Sequence, residues 1–141
     1  MKEYFEATVK YERQGEKGLM QKVSEKYIVD ALTFGDTERR LLEEVGCYAT
    51  GSVLVQDIKR TQFMEIFETT DESADKFFKV KIAMITIDED KGVEKKTPAF
   101  LLVEAANIQD ALDRMKEGMK DYLIDFDLVS VQDTKIMAVY K

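Results

Sequence analysis

The chain of 141 residues carries 21 Lys and Arg, 28 Asp and Glu and no His, which gives a formal net charge of −7 at pH 7. The absence of His excludes mechanisms that use imidazole as an acid, a base or a metal ligand, and the negative charge excludes a global attraction to nucleic acid or to an anionic membrane. The single cysteine excludes an internal disulfide and favours a cytoplasmic location, and no apolar run approaches the roughly 20 residues of a membrane span.

A hairpin of two strands is predicted first. Residues 4–11 (YFEATVKY) alternate with period two, so the odd-numbered residues from Phe5 to Tyr11 lie on one face and the even-numbered residues on the other. The glycine-containing segment RQGEKG follows, and residues 19–31 return as the second strand.

A helix is predicted after each hairpin. Thr33 occupies an N-cap position with Asp36 three residues later, which is a variant of the capping box. The second helix repeats this arrangement with Asn107 as the cap and Asp110 as the third residue. Gly46 follows the last apolar residue of the first helix and is expected to end it in the left-handed conformation.

A third strand-like segment follows each helix. It runs from Ser52 to Phe67 in the first half and from Leu128 to Tyr140 in the second half. The apolar parity changes near residues 59–62, which indicates a β-bulge or a short turn. Whether the segment is one strand or two stays open.

The order of these segments indicates an internal duplication. Residues 4–11 resemble a segment 73 residues later, and residues 29–36 resemble a segment 74 residues later. The sequence Val-Gln-Asp-x-Lys occurs at 55–59 and again at 131–135, an offset of 76. Small loop insertions explain the drift of the offset, so we predict two copies of one unit and interpret the repeated pentapeptide as its equivalent strand.

The predicted fold is α+β, with two tandem ββαβ(β) repeats at residues 1–70 and 77–141. The repeats are expected to form a largely antiparallel sheet with two helices and pseudo-twofold symmetry. Because a repeat of about 65 residues buries little surface by itself, we expect the two repeats to share one core in a single domain of residues 1–141.

Cations concentrate in the predicted strands, whereas acidic residues concentrate in the helices and loops. Tyr4 and Phe77 occupy equivalent positions, as do Thr8 and Lys81, so one sheet face is expected to combine aromatic rings with lysines. Such a face is typical of proteins that bind single-stranded nucleic acid, because bases stack on the rings and lysines follow the phosphates. The predicted contacts are stacking by Tyr4 and Phe77, and phosphate binding by Lys10, Lys22, Lys26, Lys59, Arg60, Lys79, Lys81 and Lys135.

Two other interpretations of these strands stay open. A sheet covered by helices on one side presents polar residues on the other, and lysines on edge strands discourage aggregation. Residues 81–87 (KIAMITI) are apolar in both parities, so a second copy of the chain is expected to cover the face that no helix covers. A homo-oligomeric protein-interaction or structural protein is therefore the alternative to a binding module for single-stranded nucleic acid.

Enzyme motifs are absent from the sequence. No phosphate loop, dinucleotide fingerprint, zinc spacing or nucleophile elbow occurs, so we predict no catalytic residue, no metal ligand and no cofactor. Cys47 has no His to activate it. Asp57 and Asp133, at the same place in the repeated pentapeptide, are the strongest candidates for a carboxylate pair, although each is more simply read as an acceptor of local backbone hydrogen bonds. The segment DEDKG at 88–92 is expected to be a hairpin turn.

Several short segments carry a resemblance to a known family. They are F-x-A-x-V-K-Y-E at 5–12, K-Y-I-V-D-A-L-T-F at 26–34, I-K-R-T at 58–61, E-I-F at 65–67, E-K-K-T at 94–97 and G-M-K at 118–120. Together they resemble a family of small proteins with a domain of unknown function, found in Bacteroidota and in their phages. The resemblance spans nearly the whole chain, implies a cytoplasmic role related to phages or mobile elements, and implies no activity.

A second resemblance exists at the level of fold. If each third segment is two strands, the order becomes ββα-ββββα-ββ, a shifted version of the ββββα repeat of Whirly and PUR-type single-stranded nucleic-acid binders. This similarity implies nucleic-acid binding, although a fold by itself does not fix a function.

Overall fold

A computed structural model describes residues 3–47 and 49–141, which form two helices and eight strands. The α+β class is therefore confirmed, and each third segment is two strands. The elements in chain order are β1 (Tyr4–Gln14), β2 (Met20–Asp30), α1 (Phe34–Gly46), β3 (Thr50–Arg60), β4 (Phe63–Phe67), β5 (Lys76–Asp88), β6 (Val93–Ala105), α2 (Ile108–Met119), β7 (Asp125–Asp133) and β8 (Ile136–Tyr140).

The strands divide into two four-stranded sheets, each in its own compact unit. The first unit contains the residues up to Thr61 together with Lys135–Lys141, and the second contains Gln62–Thr134. Strand order is β3-β1-β2-β8 in the first unit and β4-β6-β5-β7 in the second. Each unit therefore takes three strands and a helix from one repeat and its fourth strand, β8 or β4, from the other.

The registers of the two sheets repeat, which supports the predicted duplication. The pairing of β1 with β3 shifts between Thr8 and Val9, and the pairing of β5 with β7 shifts 73 residues later, between Lys81 and Ile82. The exchanged strands β8 and β4 pair in parallel with β2 and β6, each with one register shift at an equivalent place. The two copies therefore share these irregularities, whereas a second shift in the first unit, between Lys10 and Glu12, has no counterpart in the second.

The repeated pentapeptide lies in equivalent strands but not at equivalent positions. Asp57 pairs with Thr8 on β1, whereas Asp133 pairs with Phe78 on β5. With the structural offset of 73, the counterpart of Asp57 is Ser130. The interpretation of Val-Gln-Asp-x-Lys as one structural position in two copies was therefore wrong by three residues.

Each unit has a cluster of buried apolar side chains between its sheet and its helix. The predicted apolar face of β1 is buried, because alternation directs its odd-numbered residues toward the core. In the first unit the cluster consists of Ala7, Val9, Tyr11, Tyr27, Val29, Leu41 and Val45. In the second unit it consists of Phe78, Val80, Ile82, Ala99, Leu101, Val103, Ala105, Ala111, Met115 and Met119.

Both helices begin at the predicted caps. The side chain of Thr33 accepts a hydrogen bond from the backbone N–H of Asp36 at 3.0 Å, and the side chain of Asn107 accepts one from the N–H of Asp110 at 2.8 Å. Each cap satisfies one of the helix donors that have no partner within the helix.

The end of the first helix differs from the prediction. Gly46 lies within α1, and Cys47 follows in the right-handed conformation with φ of −64°. The backbone N–H of Ala49 donates to the carbonyl of Val45 at 3.2 Å, which gives that carbonyl a partner at the end of the helix. The prediction of Gly46 as a left-handed cap was therefore wrong.

A threonine fixes each point at which the chain leaves one sheet for the other. Thr61 donates from its backbone N–H and its hydroxyl to the carbonyl of Tyr4, at 2.9 and 2.8 Å. Thr134 donates in the same way to the carbonyl of Phe77, at 3.1 and 2.6 Å. The two threonines therefore hold the ends of β3 and β7 against β1 and β5 before the strand exchange.

Gly118 allows α2 to approach the exchanged strand β4. A Cβ atom at this position would lie 2.6 Å from the ring of Phe67, whereas a Cβ atom at Gly46 of α1 would have no atom within 4 Å. We expect Gly118→Ala to lower the free energy of unfolding by about 1–3 kcal/mol through overpacking. Gly46→Ala is the control and is expected to raise it by up to about 1 kcal/mol through helix propensity. Urea unfolding measures both, and a Gly118→Ala protein as stable as the unmodified chain would contradict the packing argument.

Candidate nucleic-acid interface

The ten predicted contact residues divide between the two units. Phe77, Lys79 and Lys81 lie in the second unit, and the other seven lie in the first. Five of those seven share one sheet face, opposite the face that packs on α1, because strand partners lie on the same side of a sheet. These five are Tyr4, Lys10, Lys22, Lys26 and Lys59.

Two of the five share one carboxylate. The ammonium groups of Lys26 and Lys59 lie 3.7 and 3.9 Å from the same oxygen of Glu6, whose side chain is only 19% exposed. A phosphate must compete with Glu6 for either lysine. We define Glu6, Lys26 and Lys59 as the ionic cluster.

Neither Arg60 nor Phe77 is available to a nucleic acid on the sheet faces that lie opposite the helices. Arg60 pairs with Phe5, so it lies on the helix side, with its guanidinium 5.7 Å from the ring centre of Phe5 and 5.4 Å from that of Phe34. One of its nitrogens also lies 3.6 Å from Glu3. Phe77 is 5% exposed and therefore offers no open ring to a base.

Lys10, Lys22 and Lys135 are exposed. Within residues 3–47 and 49–141, none of them has a carboxylate partner within 4.0 Å. Lys10 and Lys22 also line a surface cavity of about 380 Å³ together with Glu12 and Ser24. Lys135 lies in the short connection between β7 and β8.

An aromatic ring with two cations lies on the second sheet. The ammonium of Lys79 lies 4.6 Å from the ring centre of Phe100, and that of Lys81 lies 5.9 Å from it. Phe78, Val80 and Ile82 of β5 face the core, so Lys79 and Lys81 lie on the opposite side of the sheet, where Phe100 pairs with Lys81. All three side chains are half-buried.

The neighbours of this ring are polar or aromatic rather than acidic. On β7, Gln132 pairs with Lys79 and Ser130 pairs with Lys81, while Phe63 of β4 pairs with Phe100. Within the described residues, neither lysine has a carboxylate within 4.0 Å. We define Phe63, Lys79, Lys81, Phe100, Ser130 and Gln132 as the ring patch.

Phe100 was missed because the sequence comparison sought aromatic residues at equivalent positions of the two repeats. The counterpart of Phe100 in the first repeat is Lys26, a member of the ionic cluster. A usable signal existed, because Phe100 lies between the apolar residues Ala99 and Leu101 and alternation directs it to the other face.

The remaining candidates are Asp57, Asp133 and Cys47. Asp57 and Asp133 lie in different units at positions that are not equivalent. Cys47 is exposed, and its thiol lies 3.3 Å from the carbonyl of Glu43. Among the residues that the structure describes, no group of three or more His, Cys, Asp or Glu side chains could hold a metal ion.

A carboxylate–guanidinium network attaches the β4–β5 connection to α2. Arg114 donates to Asp71 and to Asp110, each at 2.9 Å. Hydrogen bonds from Ser73 and then Arg114 lower the pKa of Asp71, and those from the backbone of Ala106 and then Arg114 lower the pKa of Asp110. The lowered values reflect a structural role, because both carboxylates are fully used by these bonds.

A hydroxyl–carboxylate hydrogen bond connects β4 to the segment after α2. Tyr122 donates to Glu65 at 2.8 Å. This hydrogen bond raises the pKa of Tyr122 above its usual value. The phenol therefore stays protonated and keeps its donor role.

The comparisons with known proteins identify a family and no activity. A family model with the description "Domain of unknown function (DUF4494)" matches residues 3–141. No curated protein and no solved structure matches the chain. In the part of the chain that the structure describes, neither helix combines the length and the apolar character needed to cross a membrane.

The Arg114 network predicts a pH-dependent effect of Arg114→Gln. Because the folded state lowers the pKa of Asp71 and Asp110 below 3.8, their stabilising contribution is present above that pH and is lost as the pH falls through the folded values. The unfolding free energy of the unmodified protein should therefore exceed that of Arg114→Gln by more at neutral pH than below about pH 4.

Urea unfolding at neutral pH and near pH 3 measures this difference. Arg39→Gln is the control, because Arg39 forms only solvent-exposed ion pairs within α1. An Arg114→Gln deficit of the same size at both pH values would contradict the network.

Proposed function

We propose that the chain, which belongs to the DUF4494 family, is a non-enzymatic binding module for single-stranded nucleic acid. The observation that supports this most is the ring patch, where two lysines without a carboxylate partner in the described residues flank a half-buried ring. The family description states no activity, so the proposal depends on the chemistry of this surface. We assign phosphate contacts to Lys79 and Lys81 and base stacking to Phe100.

The relative strength of the contacts favours this assignment. A cation over an exposed ring contributes about 0.5–1 kcal/mol, whereas a hydrogen bond to a charged group contributes about 1.5–3 kcal/mol. An incoming phosphate therefore draws the ammonium groups of Lys79 and Lys81 away from Phe100. The uncovered ring can then stack on a base, which contributes about 1–3 kcal/mol. Ser130 and Gln132 add hydrogen-bonding groups on the neighbouring strand.

The charge of the whole chain limits the affinity. At a net charge of −7, the protein repels a polyanion at distances beyond the patch. This repulsion is screened within about 8–10 Å at physiological salt, so contacts at short range decide the binding. Two phosphate contacts to a single strand predict a slope of about −1.4 in a plot of log K against log salt concentration.

The first unit supplies a matched control for the ring patch. Its positions equivalent to Lys79 and Phe100 hold Glu6 and Lys26, which pair with each other. Replacing Lys26 and Lys59 removes two positive charges that share the carboxylate of Glu6. Replacing Lys79 and Lys81 removes two that have no carboxylate partner in the described residues.

The test is fluorescence anisotropy of a labelled oligo-dT at several salt concentrations. Lys79→Gln/Lys81→Gln should weaken binding by about tenfold or more and should reduce the magnitude of the salt slope by about 1.4. Phe100→Leu should weaken binding by about tenfold without changing the slope, because stacking releases no counterions.

The control for this experiment is Lys26→Gln/Lys59→Gln, which should bind within about twofold of the unmodified protein. An equal loss of binding in both double variants would mean that overall charge determines binding, and it would contradict the assignment of the ring patch as the binding site. Absence of binding by the unmodified protein at low salt would exclude the proposed function.

A protein-interaction role is the second candidate function. Ile87 is 70% exposed and Val93 is 54% exposed at the ends of the strands that join in the β5–β6 hairpin. Ile82 is fully buried and Met84 packs on the core, so the segment 81–87 offers only its last residues to a partner. Loss of self-association in Ile87→Ser, measured by light scattering, would favour this candidate.

The proposal also includes the origin of the protein and its location in the cell. The resemblance to proteins of Bacteroidota and their phages supports a role related to phages or mobile elements. The single cysteine supports the cytoplasm. The order of strands and helices along the chain resembles that of Whirly and PUR-type binders, and this resemblance supports nucleic acid as the ligand.

A further inference from the structure

One edge of β2 has no strand beside it. β2 pairs with β1 along its whole length, from Met20 to Asp30, but β8 covers only Lys26 to Val29. Within the described residues, no strand pairs with the outer edge of residues 20–25. The backbone groups along that edge are therefore available to another strand.

The equivalent edge in the second unit is blocked. There β4 covers Phe100 to Val103, and the uncovered part of β6 contains Lys95, Lys96 and Pro98. A proline on an edge removes an N–H donor, so Pro98 is the residue that blocks this edge. The counterpart of Pro98 is Ser24, because Pro98 pairs with Ala83 as Ser24 pairs with Lys10. The duplicated strand is thus protected in one copy and open in the other.

The hairpin that carries the open edge has a small excess of positive charge. Residues 10–25 contain four cations and three acidic residues in a chain of net charge −7, and Glu25 on the open edge accepts hydrogen bonds from the hydroxyls of Tyr11 and Tyr27. None of these cations has an ion-pair partner within 4.0 Å among the residues that the structure describes. The four cations are Lys10, Arg13, Lys17 and Lys22. Lys22 thus discourages pairing with another basic edge but suits an acidic one.

The chain itself contains a complementary acidic edge. β7 is the last strand of its sheet and pairs only with β5, so its outer edge is open. Its charged residues are all acidic, namely Asp125, Asp127 and Asp133. Asp127 also pairs with Lys96 at 3.0 Å, which leaves Asp125 and Asp133 as the stronger complements.

We propose that the open edge of β2 in one copy of the chain pairs with the outer edge of β7 in a second copy. Backbone hydrogen bonds extend the sheet, and contacts between Lys or Arg and Asp select the partner edge. Contacts between like edges are disfavoured, because each β2 edge presents the exposed Lys22 while its Glu25 is held by Tyr11 and Tyr27, and the charged residues of each β7 edge are all acidic. If two copies each give their β2 edge to the β7 edge of the other, the contacts close a dimer. If each copy pairs with two different copies through its two edges, the contacts extend a row.

The first test compares Ser24→Pro with Ser24→Ala in sedimentation equilibrium of the full chain. Ser24→Pro copies the blocked edge of β6 at a register where the fold already accepts proline, and Ser24→Ala keeps the N–H. The unmodified protein and Ser24→Ala should self-associate more weakly as salt rises, and Ser24→Pro should weaken association by about tenfold or more. Circular dichroism and urea unfolding establish that Ser24→Pro is folded.

The second test exchanges the charges between chains. Lys22→Glu alone and Asp125→Lys alone should each associate weakly, because each places like charges across the contact. An equimolar mixture of the two should recover association, since the glutamate introduced on β2 of one chain then meets the lysine introduced on β7 of the other. Recovery in the mixture requires a contact between unlike edges of two copies.

Three outcomes would overturn the proposal. They are a monomeric unmodified protein at every concentration and salt, undiminished association of folded Ser24→Pro, and a mixture that associates no better than its components. Loss of association in Ile87→Ser but not in Ser24→Pro would assign the contact to the β5–β6 hairpin instead. Each of these results leaves the nucleic-acid proposal intact, because none of the variants changes the ring patch.

Discussion

Strand exchange between the two units is the constraint on which the rest of the structure depends. Each unit receives its fourth strand from the other repeat, through a connection of two residues that begins at Thr61 or Thr134. The pairing of the exchanged strand joins residues far apart in sequence, as in Tyr27 with Ala138. Forming such contacts costs the entropy of closing a long loop. Neither sheet is complete until both repeats have folded.

Duplication preserved the backbone and allowed the side chains to diverge. The strand pairings, one register shift in each sheet and the threonine bonds agree between the units, whereas the exposed chemistry does not. Where one unit pairs Glu6 with Lys26, the other places Lys79 over Phe100. Because the duplicated backbone supplies the same positions twice, one copy can carry an ion-paired cluster where the other carries lysines that have no carboxylate partner in the described residues. The chemistry of the sheet faces is therefore a property of each copy and not of the fold.

Local signals in the sequence predicted the local structure well. Alternation predicted the buried face of β1, and the residue pairs Thr33 with Asp36 and Asn107 with Asp110 predicted both helix starts. The partners of β4 and β8 could not be predicted, because the period of a strand specifies its buried face and not its neighbour. The same limit explains why the burial of Phe77 was not predicted, since the alternation of residues in β5 does not show what covers the outer face of the strand.

An acidic protein can still present a site for an anion, because charge acts at short range in salt. Beyond about 8–10 Å the net charge of −7 is screened, and within that distance a ligand meets the local groups. What distinguishes the ring patch from the ionic cluster is therefore the pairing state of its lysines and not their number. Lys26 and Lys59 lie on an equivalent face but share the carboxylate of Glu6. Lys26 and Lys59 share the charge of Glu6, so they contribute little to a long-range field. A phosphate that displaces Glu6 gains only the difference in free energy between a lysine–phosphate contact and a lysine–carboxylate contact, which are similar.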